Sequence, residues 1–162
     1  MVILGIDPGY AIVGFGVISY VGNRFKVLSY GAVNTQAGTD FSLRLNDIYD
    51  GVTELINKYK PDVISIEKLI FNTNNKTAIN EAEARGCTIL ACVKAGVPVY
   101  EYTPLQVKQS VVGYGRAEKR QVMEMTRMLL NLEKIPKPDD AADALAVAIC
   151  CAHSSGSLLG RL

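Results

Sequence analysis

The sequence VILGIDPG at residues 2–9 is a continuous apolar run that stops abruptly at an aspartate, a proline and a glycine. The run predicts a buried β-strand over residues 2–6, and the proline and glycine predict a turn directly after it. Asp7 then stands at the end of a strand, an unusual place for a carboxylate. An ordinary turn aspartate ahead of Pro8-Gly9 explains the same pattern on local grounds.

The rest of the chain predicts a mixed α/β domain. Two β-rich runs joined by Gly22-Asn23 give a hairpin, and helical stripes then alternate with short apolar runs. The order β-β-β-α-β-α-β-α-α describes a five-stranded sheet, antiparallel at first and parallel later, flanked by helices. The other predicted strands are Phe15–Val21, Phe25–Val33, Val63–Ile66 and Val97–Tyr102. The predicted helices are Leu45–Tyr59, Ile79–Val93, Ala117–Leu130 and a last helix from Pro136 and Pro138 to His153. Asp40 is expected to cap the first helix and Pro61 to end it, and Gly113-Tyr114-Gly115 is expected to form a loop.

Composition is typical of one globular domain. The 162 residues are 49% hydrophobic and 20% charged, which favours a single domain over residues 1–155 and a flexible tail over 156–162. No signal peptide or membrane-spanning stretch is evident, and the four cysteines have no CxxC spacing, so we expect a cytoplasmic protein without membrane association. A net charge of +1 gives no general argument for nucleic acid.

Four acidic residues are expected to meet at one edge of the sheet. Glu67 ends a strand as Asp7 does, and the ends of neighbouring parallel strands come together in an α/β sheet. Asp140 and Asp143 are three residues apart on a helix, and so share one face. The alanines at 141, 142, 144, 146 and 148 would let that helix approach the sheet closely.

Such a cluster predicts a metal centre, because crowded carboxylates repel each other unless a cation neutralises them. Oxygen ligands favour Mg²⁺ or Mn²⁺ over zinc, and two such ions could activate a water and polarise a phosphodiester. Blander interpretations remain open at this point. Glu67 could be a solvated strand end, and Asp139, Asp140 and Asp143 could complement the dipole of their helix.

The sequences of these segments resemble those of the RuvC family of Holliday junction resolvases across essentially the whole chain. The segments ILGIDPG, GFGVI, ISIEKLIF, EARG, EYTPLQVKQSVVGYGRAEK and DDAADALAVAI occur in the order and spacing of that family. The resemblance implies a ribonuclease H-like fold, a homodimer, and paired symmetric cuts in four-way junction DNA during recombination and repair. It also implies Mg²⁺ or Mn²⁺, with two ions per subunit, 5′-phosphate products, and a branch-migration motor complex of RuvA and RuvB as partner.

The resemblance also assigns roles to particular residues. Asp7, Glu67, Asp140 and Asp143 take the places of the catalytic, metal-binding acids, although some members have histidine at the position of Asp140. Many members have an aromatic residue three positions after the glutamate, where it can press against bases at the junction centre. This chain has Ile70 there and Phe71 next to it, so Phe71 is the predicted wedge, with core packing as the alternative.

Basic residues near the glycine loop are the predicted phosphate contacts. Lys108 and Lys119 match DNA-contacting positions of the family, and Arg116 and Arg120 stand beside Lys119. A solvated helix start explains the same cluster without DNA. Further predicted contacts, on weaker grounds, are Arg85, Lys76 and a stacking role for Tyr114.

Other functions are conceivable for this pattern. The GIDPG strand also resembles the phosphate-binding hairpin of actin-like ATPases and sugar kinases, but these need two such domains. A junction-binding protein without activity would not need all four acids, and a related nuclease could act on RNA. His153 with Cys150 and Cys151 makes an incomplete metal site, so we expect that histidine to be structural.

Overall fold

The computed structural model of the protein describes residues 1–70 and 77–158, the last three by their backbone alone. Within these residues five strands form one sheet in the order β3-β2-β1-β4-β5. The strands are β1 (Val2–Asp7), β2 (Ile12–Val21), β3 (Arg24–Asn34), β4 (Val63–Glu67) and β5 (Val99–Tyr102). The helices are α1 (Phe41–Tyr59), α2 (Ala78–Lys94), α3 (Pro104–Val112), α4 (Lys119–Leu129) and α5 (Asp139–Leu158).

The sheet is mixed, as the sequence predicts. β1 pairs antiparallel with β2, and β2 antiparallel with β3. The pairs β1–β4 and β4–β5 are parallel. The predicted hairpin turn is confirmed at Gly22-Asn23, where both residues have a positive φ, as a tight turn between twisted strands requires.

The two faces of the sheet support two separate cores. On one face Leu4, Ile6 and Ile66 are fully buried against α1 and α2. On the other face α5 lies directly on the strands and is itself covered by α3 and α4. Almost every residue from 141 to 152 is therefore buried, which explains a helix that is apolar around most of its circumference.

Glycines let α5 approach the sheet this closely. A Cβ atom on Gly5 would overlap the backbone oxygen of Ala144, and one on Gly14 would overlap the backbone oxygen of Asp140. The predicted role of the alanines in α5 is confirmed, since Ala144 and Ala148 face Gly5 across this contact. The close approach fixes the start of α5 above the ends of β1 and β2.

Helix ends follow local capping rules. Asp40 caps α1 as predicted by accepting a hydrogen bond of 2.9 Å from the backbone N–H of Ser42. Lys60 ends the same helix in the left-handed conformation, directly before Pro61.

The predicted order of elements was wrong in one place, because it lacked α3. Thr103 and Gln106 form a capping box around Pro104 at the first turn of this helix, and Gly113 ends it with a φ of 97°. The pattern Thr-Pro-x-Gln carries this start signal in the sequence. The helix is short, and its nine residues bury only Val107 and Val111, so its apolar stripe is weak.

Element boundaries differ from the predictions by a few residues. β2 begins at Ile12, β5 begins at Val99, and α4 begins at Lys119 because Glu118 and Gln121 form a capping box there. α5 continues past His153 to Leu158, three residues into the predicted tail. Residues 159–162 lie outside the described part of the chain, and the domain boundary at 155 stays a prediction. Among the described helices, none combines the length and apolar character needed to cross a bilayer.

Candidate active site

The register of the sheet places Asp7 and Glu67 side by side. Ile6 pairs with Ile66 in the parallel ladder of β1 and β4, and the two acids are the next residue of each strand. Because side chains alternate along a strand, both acids point to the face that carries α5. On the β2 side the strand partner of Asp7 is Gly14, which has no side chain to stand beside the Asp7 carboxyl.

The start of α5 fills that space with the other two acids. The backbone of Asp140 lies against Gly14, which is the strand partner of Asp7. Asp143 follows one turn later on the same face of the helix. The structure thus brings together all four acids that the sequence predicts, while Asp139 pairs with Lys137 at 2.6 Å.

Burial and mutual repulsion disfavour the ionised forms of the clustered acids. Burial, together with repulsion from Glu67, Asp143 and Asp140, raises the pKa of Asp7 to about 8. Burial and Asp143 also raise the pKa of Glu67, which a hydrogen bond from Asp7 partly offsets. Burial raises the pKa of Asp143 as well, against the opposing effect of Lys119. The protein's own groups compensate the negative charge only in part.

Two lysines share a cleft with the acids. Lys108 from α3 and Lys119 from α4 line it together with Glu67 and Asp143. The Nζ atom of Lys119 donates a hydrogen bond of 2.8 Å to Oδ2 of Asp143. The predicted neighbourhood of these lysines and the acidic site is therefore present in the structure.

The donor set fits a hard divalent cation. Its candidate ligand atoms are carboxylate oxygens. Burial, and after it repulsion between the carboxylates, raises the pKa values of Asp7, Glu67 and Asp143, and a bound cation would favour their ionised forms. In the described ranges, no three acidic, histidine or cysteine side chains already stand in an arrangement that could hold a metal ion. Asp143 is instead paired with Lys119 at 2.8 Å.

The other predicted DNA contacts differ in their exposure and in their neighbours. Arg116 is exposed beside the glycine loop. Arg120 is exposed on α4 and lines a separate groove with Glu118 and Glu124. Arg85 forms a 2.7 Å ion pair with Glu101 and lines a groove with Lys68, and its contact with DNA stays a prediction. Phe71 and Lys76 lie outside the described residues, and Ile70 is 60% exposed.

Sequence reasoning missed Lys68 and Gly14. Lys68 is exposed and lines a cleft with Asp7, Glu67 and Ile70, and its place directly after a strand-end acid was the available signal. Gly14 belongs to the GFGVI segment, but only the three-dimensional contact with Asp140 reveals its role.

His153 and the cysteines have structural surroundings. Nδ1 of His153 lies 3.0 Å from Oγ of Ser110, and the ring packs edge to face on Phe25. Cys87, Cys92, Cys150 and Cys151 are free thiols, and burial raises the pKa of Cys150 to about 11. Tyr114 is 47% exposed and donates a hydrogen bond to Gln121.

Comparisons with known proteins identify the family of the chain. The family model described as Crossover junction endodeoxyribonuclease RuvC matches residues 3–151. The crossover junction endodeoxyribonuclease RuvC of Ruminiclostridium cellulolyticum is 59% identical over 163 residues, covering 99% of this chain and 98% of the relative.

Solved structures show the same architecture. Thermus thermophilus RuvC matches with a TM-score of 0.90 and 35% identity, covering 97% of this chain and 96% of the other. The structure of T. thermophilus RuvC in complex with Holliday junction substrate matches with a TM-score of 0.88 and 33% identity at the same coverage. The predicted ribonuclease H-like fold, a mixed five-stranded sheet flanked by helices, is confirmed. The chain belongs to the RuvC family, the crossover junction endodeoxyribonucleases.

Proposed function

We propose that this protein resolves Holliday junctions by paired symmetric nicks, using Mg²⁺ or Mn²⁺ held by Asp7, Glu67, Asp140 and Asp143, with two ions per subunit. The observation that carries the proposal is the convergence of four carboxylates, from two strands and one helix, beside two lysines. Oxygen ligands of this kind suit hard cations. The T. thermophilus relative in the complex structure binds the same substrate class.

Each group of the cleft has a distinct task in this proposal. Bound ions would supply an activated water and a polarised phosphodiester. Asp7 and Glu67 would hold the ions from the ends of two paired strands, and Asp140 and Asp143 would hold them from the start of α5. All four side chains are partly buried.

Lysines and arginines around the cleft bind the DNA backbone in this proposal. Lys108 and Lys119 lie beside the acids and neutralise the phosphates nearest the cut. Lys68 and Arg116, both exposed, extend this basic surface on either side. Phe71 remains the proposed wedge: it is the next residue in the sequence after Ile70, and Ile70 lines the cleft that contains Asp7. Arg120 and Lys76 remain proposed outer phosphate contacts.

A homodimer is the proposed assembly, with α2 at the interface. Ile79, Gly86, Leu90 and Val93 all lie on the exposed side of this helix, and Ile79 is 73% exposed. Their spacing of seven, four and three residues places them along one seam. Gly86 has open space around it, where a second helix could approach. A twofold axis at this seam would present two active sites to two opposed DNA strands.

We also propose a cytoplasmic location and action together with the branch-migration motor complex of RuvA and RuvB. The free, buried thiols suit a reducing compartment. The motor complex rests on membership of the family.

Competition between substrates tests the proposed function. Labelled four-way junctions, linear duplexes and RNA hairpins are incubated with the protein and Mg²⁺, beside the Asp7→Asn variant. We expect nicks with 5′-phosphates in the junction, little cutting of the other substrates, and loss of cutting but not of junction binding in the variant. Equal cutting of the duplex, or near-normal cutting by Asp7→Asn, would contradict the proposal.

A further inference from the structure

We propose that Lys119 acts as a stand-in cation at the acid cluster, and that a divalent ion displaces its ammonium from Asp143 and so frees it to bind DNA. The inference rests on the proposed metal centre and deepens it. In this proposal, binding of the ion at Asp143 and release of the Lys119 ammonium for DNA occur together.

The geometry allows Lys119 to leave without disturbing the fold. Its Nζ atom lies 2.8 Å from Oδ2 of Asp143, and this is the one hydrogen bond that the described part of the chain shows for the Lys119 side chain. The Lys119 side chain is 58% exposed, whereas that of Asp143 is only 24% exposed. The ammonium can therefore move into the cleft by side-chain rotation alone, while Asp143 stays in place.

Lys119 is the cation that acts on most of the cluster. It lowers the pKa of Asp7, Glu67 and Asp143, whereas Lys108 lowers only that of Glu67. In return, its bond to Asp143 raises the pKa of Lys119, with further contributions from Asp139 and Asp7. Lys119 thus takes, in part, the electrostatic role that a divalent ion would take in full.

An ion and the Lys119 ammonium cannot both use Asp143 freely. They compete for the same carboxylate, and like charges at such short range repel each other strongly in a half-buried site. Because the coupling is reciprocal, removing the ammonium must strengthen binding of the ion. The displaced ammonium would remain in the cleft beside Lys108, where a DNA phosphate could receive it.

Direct binding of Mn²⁺ without DNA tests the exchange. Calorimetric titrations at one fixed pH compare the wild-type protein with Lys119→Met and with Lys108→Met, which removes the same charge from the same cleft. We expect Lys119→Met to bind Mn²⁺ about tenfold more tightly and Lys108→Met to change affinity by less than about twofold. Equal gains in both variants, or unchanged or weaker binding in Lys119→Met, would overturn the inference.

A second measurement uses the wild-type protein. The ¹⁵Nζ resonance of Lys119, assigned by its loss in Lys119→Met, should move towards the position of exposed lysines as Mg²⁺ is added. A resonance that stays in place at saturating Mg²⁺ would overturn the exchange. If the wild-type protein binds no Mn²⁺, or if Asp7→Asn binds it equally well, then the proposed metal centre is wrong and the inference fails with it.

Discussion

At the scale of single residues, Asp7 shows most clearly how the site departs from ordinary folding rules. Its carboxyl is surrounded by Glu67, Asp140 and Asp143, and burial together with this repulsion raises its pKa from 3.8 to about 8. An ionised Asp7 therefore destabilises the fold unless a cation compensates it. The four carboxylates thus lower the stability of the fold, and in the proposed function they serve together as metal ligands.

Replacement of Asp7 by asparagine should stabilise the protein at alkaline pH in the presence of a chelator. With a folded pKa of about 8 and an unfolded value of 3.8, the contribution of Asp7 to stability is fully present below pH 4 and is lost as the pH rises through 8. Since asparagine cannot ionise, we expect Asp7→Asn to be more stable by roughly 4 to 6 kcal/mol at pH 8.5 and equal near pH 4. Urea unfolding across this pH range measures the difference.

The matched control for this prediction is Asp47→Asn, the same change at an exposed position of α1. It should leave the pH dependence as it is in the wild type. Lower stability of Asp7→Asn than of the wild type at pH 8.5 would show that the carboxylate is well compensated by the protein, contrary to this account of the site.

At the scale of elements, the position of α5 decides where two of the four acids lie. The helix is held close to β1 and β2 because glycines face its backbone, and Gly14 lies directly against Asp140. A larger residue there would push the start of the helix away from the strand ends. The geometry of the acid cluster therefore depends on the absence of a side chain at Gly14.

Gly14→Ala should weaken metal binding as well as stability. Its Cβ would overlap the backbone oxygen of Asp140, so we expect a loss of about 1 to 3 kcal/mol and weaker Mn²⁺ binding. The control is Gly51→Ala in α1, whose Cβ would press on the side chain of Val33, on the face of the sheet opposite to α5. Thermal unfolding and Mn²⁺ titration of both variants separate the effects. Unchanged Mn²⁺ affinity in Gly14→Ala would contradict the assigned role of this contact.

The outer face of α2 has the exposed apolar character of an interface. Leu90 is 51% exposed and Val93 63% exposed, so a charge at the centre of this seam would be buried in a dimer at a high cost. We expect Leu90→Glu to be a monomer by analytical ultracentrifugation, with its unfolding temperature no longer dependent on concentration. Val21→Glu, at an equally exposed position of β2, should remain a dimer. A dimeric Leu90→Glu protein would place the interface elsewhere.

At the scale of the whole molecule, the sequence predicts the sheet and the acids because both follow from short patterns. Apolar runs ending at Asp7 and Glu67 mark the strand ends, and Asp140 and Asp143 share a helix face by spacing alone. The Lys119–Asp143 pair and the contact of Gly14 with Asp140 join distant parts of the chain. No local pattern reveals such contacts.

Local patterns also gave too little information on helix α3 and on the ion pair of Arg85. α3 was missed because its start depends on a single capping box, and a short helix gives little periodicity. Arg85 was predicted as a further phosphate contact, and the EARG segment gives no information on its neighbours in space. Its ion pair with Glu101 of β5 appears only in the folded chain.

The most direct test of the whole account is the cutting of a supercoiled plasmid that extrudes a cruciform. Two coordinated nicks in one junction give linear plasmid, whereas separate single nicks give relaxed circles. We expect linear product with Mg²⁺, no product with a chelator or with Asp7→Asn, and relaxed circles from mixed dimers of the two proteins. Relaxed circles as the main product of the wild-type protein, or linear product from Asp7→Asn, would contradict it.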